Sequence, residues 1–218
     1  MWTVRIVPTA TFLLAAPRLA ADLKPLYVSE MTPVATFWTL YVAWYLLEMV
    51  AFVRLRKSPG ATKRDRGSRT ALLTGLWAGI VLNFAFAFAV PLATITLQRR
   101  AVFYFGAVLL LAGVLLRRYA IAVLGRYHTM DVTTRADQPV IQSGPYRWVR
   151  HPSYAGALLS VLGIVLCSTN WLSLACLLIV ASGFAYRIRV EEQALAADLG
   201  PPYRDYMRRT KRPIPHVL

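Results

Sequence analysis

Apolar residues in this chain come in unbroken blocks long enough to cross a bilayer, and that one property removes most fold classes from consideration. Residues 34–53, 71–97 and 101–124 each approach or exceed the roughly 20 residues a spanning helix needs. Continuous rather than alternating apolar sequence reads as helix, the structure that satisfies its own backbone in hydrocarbon. A fourth stretch, 154–186, is too long for one crossing and is broken by Cys167-Ser168-Thr169-Asn170. Small polar residues in a row form turns, so this stretch is read as two helices in a tight hairpin. The expected fold is an all-α membrane bundle of about five transmembrane helices.

Polar groups inside these blocks need a reason. Arg117 and Arg118 interrupt the third span, which predicts that its last turns emerge into the interface or line a polar cavity. Glu48 lies inside the first span, where an ionised carboxylate is costly, so it either pairs with a base across the bundle or serves a ligand. Gly75 and Gly79 form a small-xxx-small pair suited to close helix packing. Cys167 and Cys176 sit in apolar sequence without metal-ligand spacing, so neither a metal site nor a disulfide is expected.

The net charge of +15 invites a nucleic-acid reading, but the basic residues sit between spans rather than on a separate soluble domain. No nucleic-acid partner is expected, and orientation accounts for the charge. Residues 54–69 carry seven Lys/Arg against Asp65 alone, which makes this loop cytoplasmic and attractive to anionic membrane lipids. Parity then puts 125–153 and the tail after Arg187 on the same side, leaving Arg99 and Arg100 on the other. Residues 1–33 are expected to form an interfacial or partly inserted segment. A signal peptide is the rival reading there, because Arg5 precedes a short apolar run and Ala20-Ala21 follows it.

The chain divides at about residue 124. Residues 34–124 read as scaffold, three helices and the basic loop, whereas 125–218 hold all three histidines and six of the ten acidic residues. The densest polar block is 144–156, Gly-Pro-Tyr-Arg-Trp-Val-Arg-His-Pro-Ser-Tyr-Ala-Gly. His151 precedes Pro152, so a helix is expected to start at the proline. Tyr146, Trp148 and Tyr154 suit either stacking on a planar heterocycle or an aromatic belt. In the last span Arg187 and Glu191 are four apart and share a helix face. That spacing fits an intrahelical pair or a cation and an anion meeting one ligand.

In order and spacing the block 144–156, Arg187, Glu191-Glu192, Tyr203, Tyr206 and Pro213-Ile214-Pro215 together resemble the isoprenylcysteine carboxyl methyltransferase family of integral membrane enzymes. The resemblance covers roughly the last 95 residues, and the first half matches only as hydrophobic spans. It implies a membrane methyltransferase that binds S-adenosyl-L-methionine without a Rossmann domain, with the site facing the cytoplasm. It implies cofactor contacts from Gln138, Pro139, Val140, Ile141, Tyr146, His151, Pro152, Ser153, Tyr154 and Glu191. Gln138 stands where the family has a histidine. Arg187 is implied as the residue that meets the methyl acceptor, a lipid or prenylated small molecule, with Glu191 beside it in catalysis. An arginine fork suits an acceptor carboxylate. An amine acceptor, as in a phospholipid N-methyltransferase, would need a base, and Glu192 or Glu48 would supply it. A reductase related to the sterol reductases, using NADPH, is the remaining enzymatic alternative.

Overall fold

A computed structural model describes residues 23–54, 62–63, 65–129, 133–134 and 138–211. Residues 1–22, most of the basic loop, and Pro213 and Pro215 lie outside the described residues. The helices are α1 (Leu26–Ser29), α2 (Met31–Arg54), α3 (Ser68–Ala89), α4 (Arg99–Leu124), α5 (Pro152–Cys167), α6 (Trp171–Asp198) and α7 (Pro201–Arg209). One short antiparallel pairing joins β1 (Thr62–Lys63) to β2 (Thr133–Thr134). The all-α expectation holds apart from that pairing.

Four of these helices, α2, α3, α4 and α6, are long and apolar enough to cross a membrane, and α5 is a shorter apolar helix. The expected five crossings therefore become four full-length helices and one of 16 residues, about 24 Å long at 1.5 Å per residue. The second span is also shorter than expected. It ends at Ala89 because Pro91 cannot continue the helix and opens a 3-10 turn, Pro91–Ala93. The third span, by contrast, runs straight through Arg117 and Arg118 to Leu124.

The hairpin break falls where the polar residues predicted it. Thr169 adopts φ 47°, and the Asn170 carboxamide caps α6 by accepting from the backbone N–H of Leu172 (2.9 Å) and Ser173 (3.3 Å). Its amide donates to the carbonyls of Phe86 and Val90, which ties the turn to the end of α3. Arg99 and Arg100, which dissent from the charge pattern, are used at this end of the bundle. Arg99 donates to Thr169 Oγ1 (3.2 Å) and to the Lys24 carbonyl, and Arg100 pairs with Glu30 at 2.9 Å.

Two helix pairs form the body: α4 against α5, and α3 against α6. Gly75 and Gly79 do pack closely, facing Ile179, Cys176 and Val180 of α6. The tighter contact is one the sequence reading passed over. Gly106 and Gly113 on α4 meet Gly163 and Gly156 on α5, backbone to backbone. A Cβ on Gly113 would lie 2.6 Å from the Gly156 carbonyl oxygen, and one on Gly163 would lie 2.6 Å from that of Gly106. The seven-residue spacing in each helix is two turns, so both pairs stay in register. This approach brings Arg117, one turn beyond Gly113, beneath the start of α5. We expect Gly113→Leu to cost at least about 3 kcal/mol, since neither backbone can yield as an overpacked side chain can. Thermal unfolding in detergent should show a large drop in midpoint, while Val108→Leu, on the exposed side of α4, leaves it nearly unchanged.

Candidate functional site

Polar residues gather at the end of the bundle where α3 begins and α4 ends. Gly125, at φ 56°, turns the chain off α4 into a 3-10 turn, and a second 3-10 turn, at 144–147, precedes α5. Helix α6 continues past the apolar region to Asp198, so Arg187, Glu191 and Glu192 lie on one unbroken helix rather than at the start of a tail.

The first of two clefts encloses about 800 Å³, its open mouth included. Gln138, Pro139, Val140, Ile141, Tyr146, His151, Ser153, Tyr154 and Glu191 all line it. Pro152 does not: it is buried at the first position of α5 and shapes the helix start instead. Tyr127, His128 and Thr129 of the connector, to which the sequence reading gave no role, line the cleft too, as do two residues it missed, Leu195 of α6 and Leu199 just past its end. The last two follow Glu191 at i+4 and i+8, a helical stripe visible in the sequence. Tyr203 and Tyr206 of α7 complete the lining.

Helix α7 is fastened over this cleft by Arg150, whose Nε donates to Glu192 Oε1 at 2.6 Å and whose Nη1 donates to the carbonyls of Met207 and Thr210. Tyr206 donates to the Tyr146 carbonyl at 2.6 Å, and Lys211 bridges to Val149. Burial raises the Tyr146 and Tyr203 hydroxyls above their ordinary range, with Glu191 adding to the effect, and pushes Tyr206 up to about 12. All three phenols are neutral hydrogen-bonding groups at physiological pH.

The second cleft, about 680 Å³, lies between α2, α3, α5 and α6. Its walls are apolar, including Trp44, Leu72, Leu76, Val161 and Phe184, and its polar members are Glu48, Arg69, Arg117, His128, Thr129, Tyr154 and Arg187. A smaller recess between α2 and α3 shares Trp44, Glu48, Leu73 and Leu76 with it and adds Tyr45 and Trp77. The half of the chain read as scaffold therefore supplies much of this second cleft.

Glu48 and Arg117 resolve each other. Arg117 Nε and Nη2 donate to the two Glu48 oxygens at 2.6 and 2.8 Å, and Nη1 donates to the Ser153 carbonyl at 3.1 Å. This bidentate pair spans α2 and α4 and is the interhelical alternative for Glu48. Arg187 is likewise held, through its Nη1, by Asp65 and by Ser68 Oγ at 2.9 Å. Burial would raise the Asp65 carboxyl, but the Arg69 N–H, the Arg187 guanidinium and Ser68 outweigh it and hold it below the ordinary carboxylate range. Asp65 was read only as the lone acid in a basic loop.

Tyr154 stands between the clefts. Its hydroxyl accepts from Arg187 Nε at 3.2 Å and donates to Glu191 Oε2 at 2.7 Å. Its ring stacks on His151 at 5.6 Å between centroids and meets Phe184 edge-on. Arg187 therefore faces the apolar cleft and Glu191 the polar one, joined through a single hydroxyl. His128, Thr129 and Tyr154 line both spaces. The arrangement suits transfer of a group between a polar ligand and an apolar-tailed anionic one, with the reacting atoms at the Tyr154 junction.

Residues 106–197 match the model of the isoprenylcysteine carboxyl methyltransferase (ICMT) family. Over 116 residues the chain is 33% identical to protein-S-isoprenylcysteine O-methyltransferase B of Arabidopsis thaliana, covering 52% of this chain and 59% of the relative. Over 137 residues it is 30% identical to protein-S-isoprenylcysteine O-methyltransferase of Saccharomyces cerevisiae, covering 62% and 54%. The chain thus spans less than two thirds of the length of these relatives. The solved structure of the eukaryotic intramembrane Ras methyltransferase ICMT superposes with a TM-score of 0.63 at 18% identity, over 88% of this chain and 70% of that one. That likeness is one of fold.

Proposed function

We infer, from the match of residues 106–197 to the isoprenylcysteine carboxyl methyltransferase family, that the chain is a member of that family and a multi-pass membrane methyltransferase. It uses S-adenosylmethionine and esterifies the carboxylate of a lipid-like, prenylated acceptor. The observation that carries this reading is the pair of clefts meeting at Tyr154, one polar and one apolar-walled.

The polar cleft fits S-adenosylmethionine by the chemistry of its donors. Glu191 offers a carboxylate to a cationic ligand, and five tyrosines with Val140, Ile141, Leu195 and Leu199 offer an aromatic and apolar bed. His151 Nε2 is buried without a hydrogen-bond partner, 3.4 Å from Glu192 Oε1, a polar atom that a ligand would satisfy. Gln138 lines the same wall where a histidine is usual in the family, so its carboxamide takes that place. When bound, S-adenosylmethionine supplies an electrophilic methyl on a sulfonium. The chain's own part is to orient the two ligands across Tyr154 and to exclude water with α7 above and α5 below.

The apolar cleft accounts for the acceptor. Arg69, Arg117 and Arg187 outnumber Glu48 on its walls, which favours an anion, and the recess beside Trp44 and Trp77 leads a long apolar tail out between α2 and α3. An amine acceptor is disfavoured by a specific geometry. Both carboxylates that would deprotonate it, Glu48 and Glu192, are engaged by arginines at 2.6 Å. A carboxylate nucleophile is already an anion at neutral pH and needs no base.

The site end of the bundle also carries the basic segment that the positive-inside rule assigns to the cytoplasm, so the reading places the active site there. Calorimetry on the purified protein in detergent tests the donor half: saturable binding of S-adenosylmethionine is expected, and its absence at millimolar ligand would sink the reading.

A further inference from the structure

His128 is a half-buried histidine with no role in the account so far. It follows the turn set by Gly125, its backbone N–H donating to the Gly125 carbonyl at 3.1 Å. The side chain is inserted where the two clefts meet, so that it lines both. Its Nε2 is fully buried and has no hydrogen-bond partner. A buried polar nitrogen left unpaired at a junction of cavities costs stability unless a ligand takes it up. The ring is also electrically distinctive. Burial, and then the neighbouring Arg117 guanidinium, pull it down to about 4, against smaller opposing effects from Glu191 and Glu48. It is neutral at neutral pH.

Resting on the carboxyl-methylating reading, we propose that His128 is an acceptor-positioning residue whose Nε2–H binds the acceptor carboxylate at the junction, beside Arg187. Two arguments select this role over its alternatives. A general base has no task, because the nucleophile is already ionised and the ring is a weak base in this setting. A cation at this point would repel the sulfonium beside which the carboxylate must lie, whereas a neutral N–H fixes one carboxylate oxygen without adding positive charge. Arg187 thus supplies the charge, held off by Asp65 and Tyr154, and His128 supplies the aim. The residue also sets selectivity for an acceptor that presents a hydrogen-bond acceptor at the junction.

The test is direct binding, measured without turnover. Calorimetry would compare the wild-type protein with His128→Asn and His128→Gln, titrating N-acetyl-S-farnesylcysteine and, separately, S-adenosylmethionine. Glutamine can place its amide N–H near the position of Nε2, and asparagine is too short. We expect His128→Asn to weaken acceptor binding about tenfold, the effect of one hydrogen bond to a charged group. His128→Gln should restore most of it, and neither variant should change S-adenosylmethionine binding. A purely packing role predicts equal defects in both variants, and that result overturns the proposal, as does wild-type acceptor affinity in His128→Asn. Weakened S-adenosylmethionine binding with acceptor binding intact would move His128 to the donor side and equally overturn it. A wild-type protein that binds neither ligand refutes the methyltransferase reading itself.

Discussion

Arg187→Ala is expected to lose carboxylate methylation and fold stability together, and for separable reasons. The guanidinium is 2% exposed and its partner Asp65 9%, so removing it leaves a buried carboxylate without its counter-charge. Breaking such a pair costs about 3–5 kcal/mol. Loss of the acceptor's own cation should lower kcat/KM roughly a hundred- to a thousandfold. The double variant Asp65→Asn/Arg187→Ala separates the two effects. Neutralising Asp65 removes the orphaned charge, so the unfolding midpoint should recover most of its loss while acceptor turnover stays down. Recovery of both would mean that Arg187 serves the fold alone.

The second large effect is expected at Glu191, and its neighbour provides the contrast. Glu191→Gln keeps an oxygen that can accept from the Tyr154 hydroxyl, so the folded state should change little. What it removes is the negative charge at the polar cleft, and S-adenosylmethionine affinity should fall about a hundredfold, the upper range for a hydrogen bond to a charged group. Glu192→Gln reverses the pattern. Glu192 and Arg150 are 3% and 8% exposed and hold α7 in place, so that variant should lower the unfolding midpoint strongly. The two adjacent carboxylates are told apart by their partners and burial, not by their position in the Glu-Glu pair.

That distinction marks where sequence reasoning reaches and where it stops. Local chemistry was legible. Ser168, Thr169 and Asn170 announced the hairpin turn because they cap and bend a chain wherever they occur together, and Pro152 marked the start of α5 through its own ring geometry. The block at 144–156 and the Arg187–Glu191 spacing pointed to the end of the bundle where the clefts lie, because each is held within one turn or one helix face.

Partnerships across helices were not legible. The cost of a buried charge flagged both Glu48 and Arg117, but nothing in their spacing said that they neutralise each other. The glycines at 106, 113, 156 and 163 each look unremarkable within their own helix, and only the docked pair shows that their hydrogen atoms set the α4–α5 distance. Asp65 was hidden for an electrostatic reason: one acid among seven bases looks like part of a solvated linker until Arg187 is seen beneath it. His128 lies in a polar connector visible in the sequence, but its role was hidden, since its place at the junction is produced by the turn at Gly125 and by two clefts that residues far apart in the chain line together.

The central claim is the identity of the reaction, methylation of an acceptor carboxylate held in the apolar cleft. Its most direct measurement supplies the purified protein with S-adenosylmethionine labelled in its methyl group and offers either N-acetyl-S-farnesylcysteine or phosphatidylethanolamine in detergent micelles. The account predicts label in the prenylcysteine that mild base releases as methanol, strongly reduced in Arg187→Ala and Glu191→Gln at limiting S-adenosylmethionine, and no label in the phospholipid. Base-stable label in phosphatidylethanolamine, with the prenylcysteine unlabelled, would contradict it.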